Sequence, residues 1–255
     1  MATTPTGSSL QVLKAVEDGW NAFCKAPWSF LLFQFLGFVV SLPFIGIALL
    51  GSSAFSEKVA WLNPILGFLL VVVGVISLII VWLWTWVGLL QGAWTALEGH
   101  KPDFAVFTRW NKLASLRLAA SQILCLLISA VAASIAYLAG KGLFQINQSL
   151  IWIPWVAFAI LWIWFHVSQA FIFQASLLGS KNPIKAVGSG INIISPSWWN
   201  VLWLLIVQFG VIYIVIITTY ITGLWSAAPF LLCISTAAYR QLFGSTDNTG
   251  LLKPN

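Results

Sequence analysis

The sequence predicts an all-α polytopic membrane protein: six transmembrane helices arranged as three parallel two-helix units, each preceded by an interfacial amphipathic helix. Three observations predict it. The chain of 255 residues is 60% hydrophobic and 7% charged, with a mean hydropathy of +0.95, against roughly 25% charged residues in ordinary soluble domains. Six apolar runs, four of them free of Asp, Glu, Lys and Arg, approach or exceed the ~20 residues that carry a helix across a hydrocarbon core. A seven-residue phrase recurs before alternate runs, as AVEDGWN at 15–21, AVFTRWN at 105–111 and AVGSGIN at 186–192.

The predicted spans are Trp28 to Leu50, Ile65 to Leu97, Leu113 to Leu138, Leu150 to Leu178, Trp198 to Tyr220 and Gly223 to Phe243. The second and fourth exceed one membrane thickness and must tilt, kink or extend into water. Pro154 falls in the first turns of the fourth span, where a missing N–H matters least; Pro43 and Pro229 fall inside helices, where proline kinks them. Around the spans lie a flexible N-terminus at 1–8 and a flexible C-terminal tail at 244–255, bounding one domain at 9–243.

Lys and Arg partition unevenly among the connections, and segments rich in them stay cytoplasmic. The N-terminus, the 97–117 and 179–197 connections and the C-terminus hold Lys14, Lys25, Lys101, Arg109, Lys112, Arg117, Lys181, Lys185, Arg240 and Lys253. The 51–64 and 139–149 connections hold only Lys58 and Lys141. Both termini are therefore expected on the cytoplasmic side of a bacterial-type inner or thylakoid membrane. The first apolar run, at 23 residues, is too long for the ~7–15-residue apolar region of a cleaved signal peptide, so it reads as a retained span.

Each copy of the phrase precedes an odd-numbered span. Its second and sixth residues share a helical face, pairing Val16 with Trp20, Val106 with Trp110 and Val187 with Ile191. In the first copy the stripe runs Leu10, Leu13, Val16, Trp20 and Phe23, opposite Gln11, Lys14, Glu17, Asp18 and Asn21, the pattern of a helix lying in the interface. In the second, Lys101-Pro102-Asp103 starts the helix. In the third, Gly188 and Gly190 lower helix propensity by ~1 kcal/mol each, which predicts partial helicity. Gly99-His100-Lys101-Pro102 and Gly179-Ser180-Lys181-Asn182-Pro183 precede the second and third copies as helix ends followed by restarts. The repeat units are then about 9–101, 102–182 and 183–243.

An even number of crossings per unit makes the units parallel, unlike the inverted repeats of rocking transporters. Mitochondrial carriers also use three two-helix units, yet they place the interfacial helix inside each hairpin and follow proline with charged residues, whereas Phe44, Ile45 and Gly46 follow Pro43 here. Gly92-Ala93 through Gly99, Lys101 and Phe104, the echo at 179–187, and Pro229 followed by Ala238-Tyr239-Arg240-Gln241-Leu242 resemble the YciC-like bacterial proteins. That superfamily includes the membrane domains of some glycerophosphodiester phosphodiesterases. The resemblance implies a six-helix membrane domain and carries over no catalytic residue.

The chemistry search excludes more than it suggests. Glu17, Asp18, Glu57, Glu98, Asp103 and Asp247 all lie in loops or tails, so no intramembrane carboxylate supports ion coupling. No phosphate loop, metal cluster or nucleophile–base constellation occurs. Cys24, Cys125 and Cys233 are odd in number and do not suggest structural disulfides. The net charge of +6 reads as topology signal and attraction to anionic lipid, not nucleic-acid binding. His166 lies inside the predicted fourth span, among Trp152, Trp155, Phe158, Trp162, Trp164, Phe165, Phe171 and Phe173. A neutral imidazole there can ligate haem iron or chlorophyll magnesium, or bond across helices. No cofactor is required.

Gln34, Gln91, Gln122, Gln169, Gln174 and Gln208 recur through the spans, and Gly88, Gly92, Ala96 and Ala132, Ala136, Gly140 are spaced four apart; both read as helix-packing devices, with a polar pathway as the alternative. Trp residues near span ends are interfacial anchors. The expected function is a non-enzymatic structural, assembly or accessory component that partners membrane lipids and a larger membrane protein complex. The alternatives are a small-molecule transporter or channel, and a pigment- or haem-binding subunit using His166.

Overall fold

The computed structural model describes residues 10–54, 63–219 and 221–252, apart from the side chains of 218–219 and 221–226. Among the described residues the structure is helical throughout, with no strand. In chain order the helices are α1 (Val12–Lys25), α2 (Pro27–Ser53), α3 (Pro64–Leu97), α4 (Phe104–Thr108) and α5 (Lys112–Ile146). They continue as α6 (Trp152–Ser168), α7 (Ile172–Gln174), α8 (Pro183–Ile194), α9 (Trp198–Thr219) and α10 (Ile221–Phe243).

Five stretches are long and apolar enough to cross a membrane: Pro27–Ser53, Pro64–Leu97, Lys112–Ile146, Gln148–Ser168 and Pro183–Ile217. The sixth predicted span falls on α10, whose first side chains lie outside the described residues. The chain divides into two compact units.

One unit comprises Glu17–Ser115 and Ile214–Ile234. Here α2 and α3 pair through small residues, the device that lets helices approach in an apolar solvent. Gly37 faces Thr85, Gly51 faces the backbone of Gly67 and Val71, and Gly74 faces Ala48. A Cβ on Gly51 would stand 2.6 Å from the Gly67 carbonyl oxygen, so the approach tolerates no side chain. α3 ends in a left-handed Gly99 (φ +99°), with the His100 and Gly99 amides donating to the Thr95 and Ala96 carbonyls, a helix stop that Gly permits. Lys25 Nζ also donates to the Ala96 carbonyl, at 2.8 Å, placing a cation at the negative helix end.

The other unit comprises Met1–Val16, Leu116–Tyr213 and Ser235–Asn255. Here the predicted fourth span is not one helix. α6 stops at Ser168, the chain turns over Gln169–Phe171, and a π-helical turn at Ala175–Gly179 follows α7. Tertiary contact explains the interruption: Gly190 on α8 presses against the Ser168 carbonyl, and Gln169 Nε2 donates to the Val187 carbonyl at 3.1 Å. α8 itself is continuous, correcting the expectation of partial helicity. Asn182 caps it by accepting from the Ile184 amide at 2.9 Å, and Pro183 occupies its first turn.

Residues 244–252 fold back on the π turn. The Asn248 amide donates to the Leu178 carbonyl and the Thr249 hydroxyl to the Leu177 carbonyl, satisfying acceptors at the end of the π turn. Asp247 organises this strap by accepting from the amides of Thr249, Gly250 and Leu252 and from the Thr249 hydroxyl. Burial pushes the Asp247 carboxyl up, but these donated hydrogen bonds outweigh it and hold the carboxyl below its ordinary value.

Candidate functional site

The three phrase copies are the first candidate, and the structure shows what each touches. In α1 and α8 the buried residues include one row at four-residue steps that starts in the phrase: Ala15, Gly19 and Phe23 from the first copy, Ala186, Gly190 and Ile194 from the third. A Cβ on Gly19 would lie 2.6 Å from Ile234 Cα on α10, and one on Gly190 would lie 2.7 Å from the Ser168 carbonyl oxygen. The missing side chain lets backbone meet backbone.

The second copy inverts this fit. Phe107 on α4 is fully buried and sits over Gly88 and Gly92 of α3, where any Cβ would strike its carbonyl oxygen and its ring. Phe30 and Phe33 pack on the same ring, with centroids 4.9 Å and 5.5 Å away. The gap thus lies on the phrase in copies one and three, and on the receiving helix in copy two. In chain position the three seams agree: Gly88, Ser168 and Ile234 stand eleven, eleven and ten residues before Gly99, Gly179 and Gly244.

The residues singled out from the sequence stand elsewhere on these helices. Val16 is half-buried and Trp20 is 53% exposed, while Leu13 on the same side is 80% exposed. Leu13 and Trp20 of α1 face outward, whereas Val12, Ala15, Gly19, Ala22 and Phe23 face the protein. Val106 is half-buried, and Trp110 lies beyond the end of α4, so the two do not share a continuous helix. The last carbonyls of α4 are taken by α3 instead: Trp84 Nε1 donates to the Thr108 carbonyl at 3.2 Å, and Asn111 restarts the chain by accepting from the Ala114 amide. Val187 is 6% exposed and Ile191 half-buried. The residues that make the seams, Gly19, Phe107 and Gly190, escaped a reading built on large apolar side chains; glycine at the fifth position of two copies was the available signal.

His166 is the second candidate. It occupies the last turn of α6 on an exposed face, beside Trp164, whose carbonyl accepts from Trp198 Nε1 at the first residue of α9. The imidazole therefore stands level with a helix start, not midway along a continuous apolar span. Its Nδ1 lies 2.9 Å from the Trp162 carbonyl and its ring rests on the Trp162 indole, with centroids 3.9 Å apart. A carbonyl only accepts, so Nδ1 carries a proton.

A neutral ring could ligate a metal through Nε2. An apolar groove beside His166 has a volume of about 160 Å³, under the ~300–1,000 Å³ of sites that enclose a drug-sized ligand. Among the described residues no group of three or more His, Cys, Asp or Glu side chains could hold a metal ion. Cys24, Cys125 and Cys233 are free thiols.

Two span glutamines bond across helices: Gln169 Nε2 to the Val187 carbonyl, and Gln174 Nε2 to the Ser235 and Thr236 hydroxyls of α10 at 2.9 Å and 3.5 Å. A buried amide atom of each of Gln34, Gln91, Gln122, Gln169, Gln174 and Gln208 has no hydrogen-bond partner among the described residues. Comparison with protein-family models, curated proteins and solved structures returns no match.

Proposed function

We propose that this chain is a non-enzymatic structural, assembly or accessory component of a bacterial-type membrane, with three tandem units entering the bilayer from the side that holds both termini. The observation that carries the reading is the recurrent seam. In each copy the phrase docks ten or eleven residues before a glycine at a chain reversal: Gly99 and Gly244 follow the helix that is docked on, whereas Gly179 lies beyond the break after Ser168. A shared docking register at three places supports a repeated unit more strongly than the short sequence match.

The outward faces of the phrase segments support contact with lipid headgroups and with a larger membrane protein complex. Leu13, Trp110 and Ile184 are 80%, 48% and 70% exposed, each with a cation next to it in sequence, Lys14, Arg109 and Lys185. Charged substitutions at these three positions test the reading better than substitutions at Val16, Val106 and Val187, because Val187 is buried. Leu13→Glu, Trp110→Glu and Ile184→Glu are expected to release co-purifying partners in gentle detergent while leaving the fold intact. Unchanged association in all three opposes the reading. Accessibility labelling is expected to find residues 5 and 250 on the same face.

A second reading, a small-molecule transporter or channel, is favoured by the unpartnered amide atoms of Gln34, Gln91, Gln122 and Gln208. An unpaired buried amide is costly in an apolar medium unless it serves water or a solute. Liposomes carrying the protein are expected to leak small neutral polar solutes under this reading; absence of flux removes it.

A further inference from the structure

The strap at 244–252 is shaped from within and held from outside by few contacts. Asp247 accepts from the amides of Thr249, Gly250 and Leu252 and from the Thr249 hydroxyl, so the segment keeps its own hooked form. Among the described residues, its hydrogen bonds to the rest of the protein are those of the Asn248 amide to the Leu178 carbonyl and of the Thr249 hydroxyl to the Leu177 carbonyl. Leu251 is the buried side chain of the strap, 2% exposed. At its base Gly244 (φ +88°) has nothing within 4 Å of where a Cβ would stand, and Ser245 and Thr246 are exposed, so the hinge is not packed in place. On the receiving side the helix ends at Gly179, with the Ser180 amide turned back to the Ala175 carbonyl, which leaves the Leu177 and Leu178 carbonyls to the strap. Arg117 of α5 is within electrostatic range of Asp247, and its Nε has no hydrogen-bond partner among the described residues, so the surroundings suit an acidic segment.

We propose that the end of the π turn is a docking site for a short peptide segment with the spacing Asp-x-Thr-x-Leu, and that the strap residues Asp247–Leu251 are its displaceable occupant in cis. Each position has a task. The acid shapes the hook, the hydroxyl and the amide before it meet the two carbonyls, and the apolar side chain is buried. A tethered occupant competes at high effective concentration, so the strap screens the site from a partner segment of the same chemistry until it is released. This gives the assembly reading a partner chemistry without depending on it.

The test uses the full chain in detergent and a fluorescent peptide of residues 245–252. Asp247→Asn removes the carboxylate that shapes the strap and so empties the site; Leu251→Asp frees the strap by a different route, should the first variant fail to release it. The peptide is expected to bind either released chain about tenfold more tightly than it binds the wild type, whose site is filled in cis. Peptides carrying Asp247→Asn or Leu251→Asp are expected to bind the released chains about tenfold more weakly than the wild-type peptide. Hydrogen exchange at residues 175–180 is expected to rise in the released chains and to fall again when the peptide is added, which locates the binding. Equal peptide binding by wild-type and released chains, no binding by either released chain, or exchange at 175–180 that ignores the peptide overturns the proposal.

Discussion

The two halves of α3 are both apolar and differently used. From Pro64 to Ile80, Gly67 and Gly74 are the buried residues; from Val87 to Trp94, every residue is buried, including the amide of Gln91. The first half turns Ile65, Phe68, Val73 and Ile76 outward and touches α2 along a narrow line of small residues. The second is enclosed by α2 and by Phe107 of α4. In a bilayer an outward Leu and an inward Leu lie in equally apolar surroundings, so hydrophobicity alone does not hold helices together there. Shape does that, and the glycines mark where.

Breaking the enclosed half should cost most. Gly92→Leu drives a side chain into the Phe107 ring and is expected to abolish folded protein in detergent, exceeding the ~1–3 kcal/mol usual for overpacking. Phe107→Ala leaves a cavity beneath Phe30 and Phe33 and should lower stability in a detergent-unfolding titration by ~3–5 kcal/mol.

The exposed half is tested by charge. Ile76→Lys, at a position 53% exposed, should raise the insertion free energy of the α3 segment by ~2.5–3.5 kcal/mol if that half meets hydrocarbon; insertion at the wild-type level would place it in water or against protein. Gly19→Ala probes whether the α1 seam is as tight as the α3 notch. Its Cβ meets the Ile234 backbone at 2.6 Å, and a loss of ~1–3 kcal/mol is expected. The smallest effect belongs to Gly46→Ala, where nothing lies within 4 Å. It should be neutral or stabilising by up to ~1 kcal/mol through improved helix propensity.

Acid probes the C-terminal strap separately. Because Asp247 is held below its ordinary value, its contribution is present at neutral pH and is lost as pH falls through the lowered value. Proteolytic release of residues 244–252 should therefore rise only in strong acid, and Asp247→Asn should release the strap at neutral pH.

Local rules reached most of the helical framework. The helix end at Gly99 and the restart at Asn182-Pro183 are found as read: Gly99 adopts a left-handed stop after α3, and Asn182 caps α8 beside Pro183. They missed the break in the fourth apolar stretch, because nothing between Leu150 and Leu178 interrupts helical periodicity after Pro154. Gly190, twenty-two residues beyond Ser168, creates that break by bringing α8 onto the Ser168 carbonyl. They also assigned His166 to a continuous span for the same reason. The site's aromatic residues were legible as a cluster, but the ordered stripe of Phe158, Trp162 and His166 beside Ala132 required α5 as the facing wall.

Composition, run length and capping residues alone determined that this chain is helical and suited to a bilayer, because an apolar solvent obliges each segment to satisfy its own backbone. Which face of each helix meets lipid, and which meets protein, was decided only by tertiary packing. Those two environments are almost equally apolar, and only side-chain shape at a contact distinguishes them.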